Sequence, residues 1–228
     1  MALGLNTETS SGDFLGRVQY DAKAGRLFDI IREQDAAGNW VSTPKEIRLP
    51  VKLAMDLENI EVGYIRLGGG VVDFRMVKIG QPLPPKPDGV NAQGRPLYRQ
   101  GFRVKVYSKN TLGGVKRWNH SAKCVLAAVD ALHDAYQAQK AQHPGKVPVV
   151  ELVETTPVTT GQGEKRSTNY APVFRIVSWI DRPAELDGGE SEPEPAAQPQ
   201  TPPATGGTHM PPPHAQAAPA PEEEPEFV

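Results

Sequence analysis

Basic and aromatic side chains share one face of the segment from residue 98 to residue 109. Successive side chains of a β-strand point to opposite sides of its sheet, so a period of two separates two faces here. The apolar face holds Tyr98, Phe102, Val104 and Val106. The other face holds Arg99, Arg103, Lys105, Tyr107 and Lys109. Cations of this kind neutralise phosphates, and an exposed ring offers a base a surface for stacking.

A second basic and aromatic segment follows a glycine turn. The turn at residues 111–114 leads into Val115-Lys116-Arg117-Trp118, which we expect to pair with the first segment. A basic loop, residues 160–169, joins the last two predicted strands. The predicted phosphate contacts are Arg99, Arg103, Lys105, Lys109, Lys116, Arg117, Lys165 and Arg166, and the predicted stacking rings are Tyr107 and Trp118, with Trp40 as a further candidate. The alternative is a merely solvated basic face, with Trp118 in the core.

Charge is divided unevenly along the chain. The sequence has 25 Lys and Arg and 27 Asp and Glu, for a net charge of −2. Nine of the acids and none of the basic residues lie at positions 184–228, which leaves the first 183 residues with 18 acids and a net charge of +7. A basic body joined to an acidic tail predicts a polyanion as the partner of the body.

The acidic tail is too poor in apolar residues to fold. Residues 184–228 contain 11 of the 23 prolines, and burial cannot offset an ordering entropy of roughly 1–2 kcal/mol per residue. The tail ends in Glu222, Glu223, Glu224, Pro225, Glu226, Phe227 and Val228. This tip could dock its ring on a protein partner, or it could fold back and compete with nucleic acid for the basic face. The alternative is a low-complexity tail that only solubilises the protein.

The pattern of the body predicts a mainly β fold. Hairpins are predicted at residues 14–33 and 60–79, a Pro-rich excursion at 81–96, and a final strand pair at 147–158 and 172–180. One helix is predicted from a cap at Ser121 to about His143. We therefore expect an OB-like small β-barrel with one main helix over residues 13–183, preceded by a flexible N-terminus, 1–12, and followed by a disordered tail, 184–228.

The sequence offers no recognisable catalytic or cofactor-binding motif. Phosphate-loop, H-E-x-x-H and G-x-S-x-G motifs are absent, so we expect neither an enzyme nor a bound cofactor. We expect no metal site, since Asp56, Glu58 and Glu61 suit a solvated turn or ion pairs better. The single cysteine, Cys124, excludes an internal disulfide and fits a reducing cytoplasm. No apolar run has the length of a membrane span, so no membrane partner is expected.

Three strings resemble those of phage and prophage single-stranded-DNA-binding proteins of the OB-fold type. They are D-L-E-N-I-E-V-G (56–63), G-F-R-V-K-V-Y-S (101–108) and N-Y-A-P-V-F-R-I-V-S-W (169–179). The resemblance spans about residues 12 to 183. It implies that the protein coats single-stranded DNA during replication or recombination, in the cytoplasm of a bacterial host cell.

The tail carries a second resemblance. Bacterial and phage single-stranded-DNA-binding proteins end in an acidic tip closed by Phe, which recruits replication and repair partners. Glu222 to Glu224, Glu226 and Phe227 match that tip, although Val228 moves the free carboxylate one residue further on. The alternatives are a virion or assembly adaptor, whose barrel would hold a protein, and a strand-annealing recombination factor. The sequence leaves an oligomer possible.

Overall fold

The computed structural model describes residues 15–68, 71–160, 162 and 166–188. The predicted flexible N-terminus (1–12) and the tail beyond Gly188 lie outside these residues. Two α-helices are described, the short α1 (Lys109–Leu112) and the long α2 (Lys123–Gln139). The strands are β1 (Gly16–Asp21), β2 (Arg26–Gln34), β3 (Trp40–Ile47), β4 (Val51–Met55), β5 (Glu61–Gly68), β6 (Val71–Lys78), β7 (Arg99–Ser108), β8 (Gly114–His120), β9 (Lys146–Thr160) and β10 (Ser167–Asp181).

All ten described strands belong to one mixed sheet in the order β10-β9-β4-β7-β8-β1-β2-β3, to which the β5–β6 hairpin is joined through β7. The β1–β8 pair is parallel and the other pairs are antiparallel. Strand β7 lies at the centre, since β8 pairs along one of its edges while β4 and β5 share the other. The predicted basic strand is therefore the innermost strand of the sheet.

The prediction of a mainly β fold with one main helix is confirmed, and the sheet is open. The sheet curls so that the start of β10 approaches the turn between β1 and β2. Tyr170 N donates a hydrogen bond to Ala22 O at 2.7 Å, and Tyr20 Oη donates to Tyr170 O at 2.9 Å. Within the described residues, β10 and β3 are the two ends of the strand order rather than neighbours.

The hydrophobic core lies on the inner side of this curl, here called the core face. Helix α2 packs Val125, Val129, Leu132 and Tyr136 against it. The opposite side of the sheet, here called the outer face, is not covered by α2. The strands contribute to the core Val18, Tyr20, Leu27, Leu53, Met55, Phe102, Val104, Val106, Trp118, Val150 and Leu152, which are all buried.

Two paired glycines allow the central strands to approach closely. Gly63 of β5 lies opposite Gly101 of β7. A Cβ atom on Gly63 would lie 1.9 Å from Arg75 O, and one on Gly101 would lie 2.3 Å from Ile65 Cδ1. Neither position has room for a side chain, so these glycines set how the β5–β6 hairpin folds onto β7.

The start of α2 differs from the predicted Ser121 cap. The residue before the helix is Ala122, and no side chain caps the helix from that position. Instead, His120 Nδ1 accepts a hydrogen bond from Ala122 N at 3.0 Å. The helix therefore begins two residues after Ser121, because β8 continues to His120 and the turn into the helix is held by that imidazole.

Candidate nucleic-acid interface

A row of three cations crosses the outer face. Arg17 of β1 pairs in register with Arg117 of β8, and Arg117 pairs with Lys105 of β7. Paired residues point to the same side of a sheet, and neighbouring strands lie about 4.8 Å apart. Arg17 is exposed, while Arg117 and Lys105 are half-buried. We call Arg17, Arg117 and Lys105 the basic row.

An exposed tryptophan lies further along the same face, on the β2–β3 hairpin. Trp40 pairs with Gln34, two residues from Arg32, so both side chains share the face of Arg17. The ring is 59% exposed, and the Arg32 guanidinium carbon lies 4.9 Å from its centroid. Trp40 is thus an available stacking ring. The turn at residues 35–39 already indicated this pairing, whereas neither Arg32 nor Arg17 was among the predicted phosphate contacts.

Trp118, predicted as a stacking ring, is a core residue. It pairs with Val104, which places it on the core face, and it is only 4% exposed. Its ring meets Phe102 and Phe174 edge to face, with centroids 4.9 and 5.8 Å away. The prediction is wrong because the alternation of side chains along β8 places Trp118 on the core face. The alternative interpretation, with Trp118 in the core, is the correct one.

Lys116 was predicted beside Arg117, and it points the other way. It pairs with Val106 on the core face, and its side chain is 15% exposed. There it forms an ion pair with Asp29, a buried carboxylate of β2. Consecutive residues of a strand alternate, so Lys116 and Arg117 cannot serve one surface.

Arg103 lies on the outer face but is buried. It forms an ion pair with Glu61, its partner in register, and its guanidinium lies 5.6 Å from the Phe74 ring centroid. Only 5% of the residue is exposed. Because the β5–β6 hairpin covers this end of β7, Arg103 is withdrawn from the predicted open surface.

Tyr107 is also on the outer face, in an apolar patch with Ala54, Val115, Val147 and Ile180. Leu186, 1% exposed, closes this patch, so the Tyr107 ring is half-buried by protein.

The remaining predicted site residues lie at the ends of strands or outside the described residues. Arg99, Lys109 and Arg166 are exposed, whereas Lys165 and the tip residues Glu222, Glu223, Glu224, Glu226 and Phe227 lie outside the described residues.

Residues 182–188 form a strap across the outer face. Arg182 donates to both oxygens of Asp56 at 2.9 and 2.7 Å and to Asp187 Oδ1 at 2.6 Å, and the Asp56 hydrogen bonds raise the pKa of Arg182. Lys105 Nζ donates to the carbonyls of Leu186 and Gly188 at 3.1 and 3.2 Å. The folded region therefore extends at least five residues beyond the predicted boundary at Pro183, because Leu186 completes the apolar patch.

Two of the three carboxylates considered as metal ligands are engaged elsewhere. Asp56 binds Arg182, and Glu61 binds Arg103. Within the described residues no cluster of three or more His, Cys, Asp or Glu could hold a metal ion, and no helix is long and apolar enough to cross a membrane. No protein-family model, curated protein or solved structure matches the chain.

Proposed function

We propose that this protein binds single-stranded DNA without sequence preference, as part of phage-type DNA replication or recombination, and that it does so without catalysis. The observation that supports this proposal is the outer face, where the basic row shares one surface with the exposed Trp40 and its neighbour Arg32. A single strand of DNA can follow such a surface because its backbone is flexible and its unpaired bases can turn away from the phosphates to reach a ring.

The chemistry of each side chain determines its proposed role in binding DNA. Arg17, Arg117 and Arg32 attract phosphates, and Trp40 provides the ring on which a base stacks. In this proposal the guanidinium groups contact phosphates and Trp40 contacts the face of a base rather than its edge, so the affinity should depend little on sequence. Each phosphate that is neutralised should contribute about −0.7 to the slope of log K against log salt.

We further propose that the expected OB-like barrel underlies this open sheet. OB folds bind oligonucleotides through one sheet face and its flanking hairpin loops. Here the outer face and the β2–β3 and β9–β10 hairpins would play these parts. The open sheet carries more strands than a minimal barrel, so the binding surface would be extended by the β2–β3 hairpin.

The tail would act through its acidic tip in the cytoplasm of a bacterial host. Glu222 to Glu224, Glu226 and Phe227 would recruit replication or recombination proteins, and the tail's charge would compete with DNA for the basic row. This competition should weaken as salt screens the charges.

The test is a titration with oligo-dT, followed by tryptophan fluorescence at several salt concentrations. Trp40 is exposed, Trp118 is buried, and the half-buried Trp179 stacks on the rings of Tyr136 and His143. Quenching by oligo-dT should therefore come mainly from Trp40 and should be largely lost in Trp40→Phe. A Trp118→Phe variant serves as the matched control and should keep the quenching. The proposal fails if no binding occurs at low salt or if duplex DNA binds more tightly than oligo-dT.

The role of the tail is tested by a chain that ends at Gly188. This end point keeps Leu186 over the apolar patch and both carbonyls that bind Lys105, which an end at Pro183 would remove. The shortened chain should bind oligo-dT at least as tightly as the full chain. Much weaker binding would show that the tail assists DNA binding rather than competing with it.

A protein-binding adaptor is a second candidate, favoured by exposed apolar residues on two hairpins. Trp40, Val41 and Val72 are 59%, 46% and 65% exposed. An adaptor would have no affinity for oligonucleotides and would copurify with assembled particles. A strand-annealing factor would instead bind oligo-dT and also accelerate the pairing of complementary strands.

A further inference from the structure

A pocket of about 210 Å³ lies between the strap and the outer face. Its basic side chains come from four elements: Lys78 of β6, Arg103 and Lys105 of β7, Arg117 of β8 and Arg182 of the strap. Three acids, Asp56, Glu61 and Asp187, also line it. The five cations exceed the three acids by two, so the pocket carries a formal charge of +2.

The three acids of the pocket are ion-paired with Arg182 and Arg103, and the donors considered for a ligand are the ammonium groups of Lys78 and Lys105. Asp56 and Asp187 both bind Arg182, and Glu61 binds Arg103. Lys105 Nζ has three N–H groups, of which two donate to strap carbonyls. Lys78 Nζ makes one long contact, 3.4 Å to Asn59 Oδ1. Across the described part of the chain, both ammonium groups therefore retain N–H groups for a ligand.

We propose that this pocket binds a phosphate monoester, either the terminal phosphate of a DNA strand or the phosphate of a free nucleotide. A monoester carries about −1.5 to −2 charges at pH 7 and three acceptor oxygens, which suits a formal charge of +2 and donors from several directions. An internal phosphodiester carries a single negative charge and leaves part of the pocket uncompensated. Because the strap partly encloses this pocket, each interaction in it should be stronger than at the exposed Arg17 and Arg32.

This inference goes beyond the proposed function, since a nucleotide could fill the pocket of a protein that coats no strand. Calorimetric titration of the full chain at low salt compares dTMP, thymidine, and oligo-dT with a 5′-phosphate, a 3′-phosphate or neither. We expect dTMP to bind and thymidine not to bind. Tighter binding of a phosphorylated oligonucleotide would identify a strand end as the source, whereas binding of dTMP alone would identify a free nucleotide.

Two variants and one control locate the site. Lys78→Gln removes an exposed lysine at the rim that, within the described residues, donates to Asn59, and Lys105→Gln removes the lysine beneath the strap. Each should weaken dTMP binding about tenfold. Lys123→Gln replaces an exposed lysine of α2 and should leave the affinity for dTMP unchanged. If Lys105→Gln loosens the fold, Lys78→Gln alone decides the result.

The affinity for dTMP should also fall as the pH drops from about 7.5 to 5.5, because the second phosphate proton binds with a pKa near 6. The proposal is overturned if dTMP does not bind, if thymidine binds equally well, or if Lys123→Gln weakens binding as much as Lys78→Gln. Oligo-dT binding with no dTMP binding would reject the pocket and leave the proposed function standing. Binding of dTMP without binding of oligo-dT would reject the proposed function and support the phosphate pocket.

Discussion

The core face and the outer face of this sheet carry similar side chains, which are buried on the core face and exposed on the outer face. Each face has a tryptophan and a cation. On the core face, Trp118 is buried between aromatic rings and Lys116 is paired with Asp29. On the outer face, Trp40 and Arg17 are exposed. Residue type thus says little about availability, which depends on the face and on what covers it.

The outer face is itself divided. Toward β5 and β6 the hairpin covers Arg103, and toward β4 and β9 the strap covers Tyr107 and Lys105. Between them and the β2–β3 hairpin the surface remains open. A strand of DNA would therefore meet an open surface of Arg17, Arg32 and Trp40, bordered by a partly enclosed pocket.

Replacing Trp118 by Ala should have the largest effect on stability. Loss of a buried indole costs about 3–5 kcal/mol of unfolding free energy, since the cavity cannot collapse fully between Phe102 and Phe174. Chemical denaturation of the variant measures the loss. Trp40→Ala, on the exposed hairpin, should change the unfolding free energy by no more than about 0.5 kcal/mol. Equal losses in the two variants would contradict the assignment of the faces.

Replacing Lys116 by Gln should destabilise the protein by about 3 kcal/mol, because it leaves Asp29 buried without its cation. The double variant Lys116→Gln with Asp29→Asn removes both charges and should recover much of that loss. Urea denaturation of the single and double variants gives the coupling between the two residues. A single variant as stable as the natural chain would place Lys116 in solvent and make it available to DNA after all.

Replacing Trp40 by Ala should weaken oligo-dT binding by about 1–3 kcal/mol, the range found for one stacked base. Fluorescence anisotropy with labelled oligo-dT measures the change without depending on tryptophan emission. Val41→Ala provides the matched control, as an exposed apolar neighbour without a ring. If the control loses as much affinity as Trp40→Ala, the hairpin contributes apolar area rather than stacking.

Acidification should destabilise the core face through His120. Burial lowers the pKa of this imidazole below its ordinary value, although the hydrogen bond to Tyr20 O acts in the other direction. Its Nδ1 accepts from Ala122 N and has no room for a proton. The unfolded chain therefore binds more protons below pH 6.5, and stability should fall as the pH drops through that value toward the lowered pKa.

The pH effect has an upper limit of about 1.4 kcal/mol per pH unit for one proton. Thermal unfolding at pH values between 7.5 and 5 measures this dependence of stability on pH. His120→Gln should make the dependence weaker. His133 also has a pKa lowered by burial, so His133→Gln is the variant that separates the two imidazoles. A profile unchanged by His120→Gln would assign the effect to other groups.

Replacing Arg17 by Gln should have the smallest effect. The residue is exposed, so stability should change by less than about 0.5 kcal/mol. The slope of log K against log salt for oligo-dT should become shallower by about 0.7, the contribution of one phosphate contact. Lys123→Gln on α2 should leave the slope unchanged. An unaltered slope in Arg17→Gln would exclude this end of the basic row from the interface.

Local patterns were enough to predict many of the elements. The period of two and the glycine turns correctly predicted the β1–β2 and β5–β6 hairpins and the strands β7 to β10. The period of 3.6 predicted α2. Strand β4 was missed because its five residues, Val51–Met55, are too few and too continuously apolar to show a period, and β3 was identified only at its first two residues.

The amino-acid order of this chain fixed which residues of a strand share a face, the separation of basic body from acidic tail, and the two central glycines. Which face is covered was decided by contacts between distant segments: α2 on the core face, the β5–β6 hairpin over Arg103, and Leu186 on the patch beside Tyr107. Alternation is a local property of the backbone, whereas burial depends on segments that meet only after folding. For that reason Arg103, Lys105 and Tyr107, which the alternation places on one face, are not equally open in the protein: the hairpin covers Arg103, and the strap covers Lys105 and Tyr107.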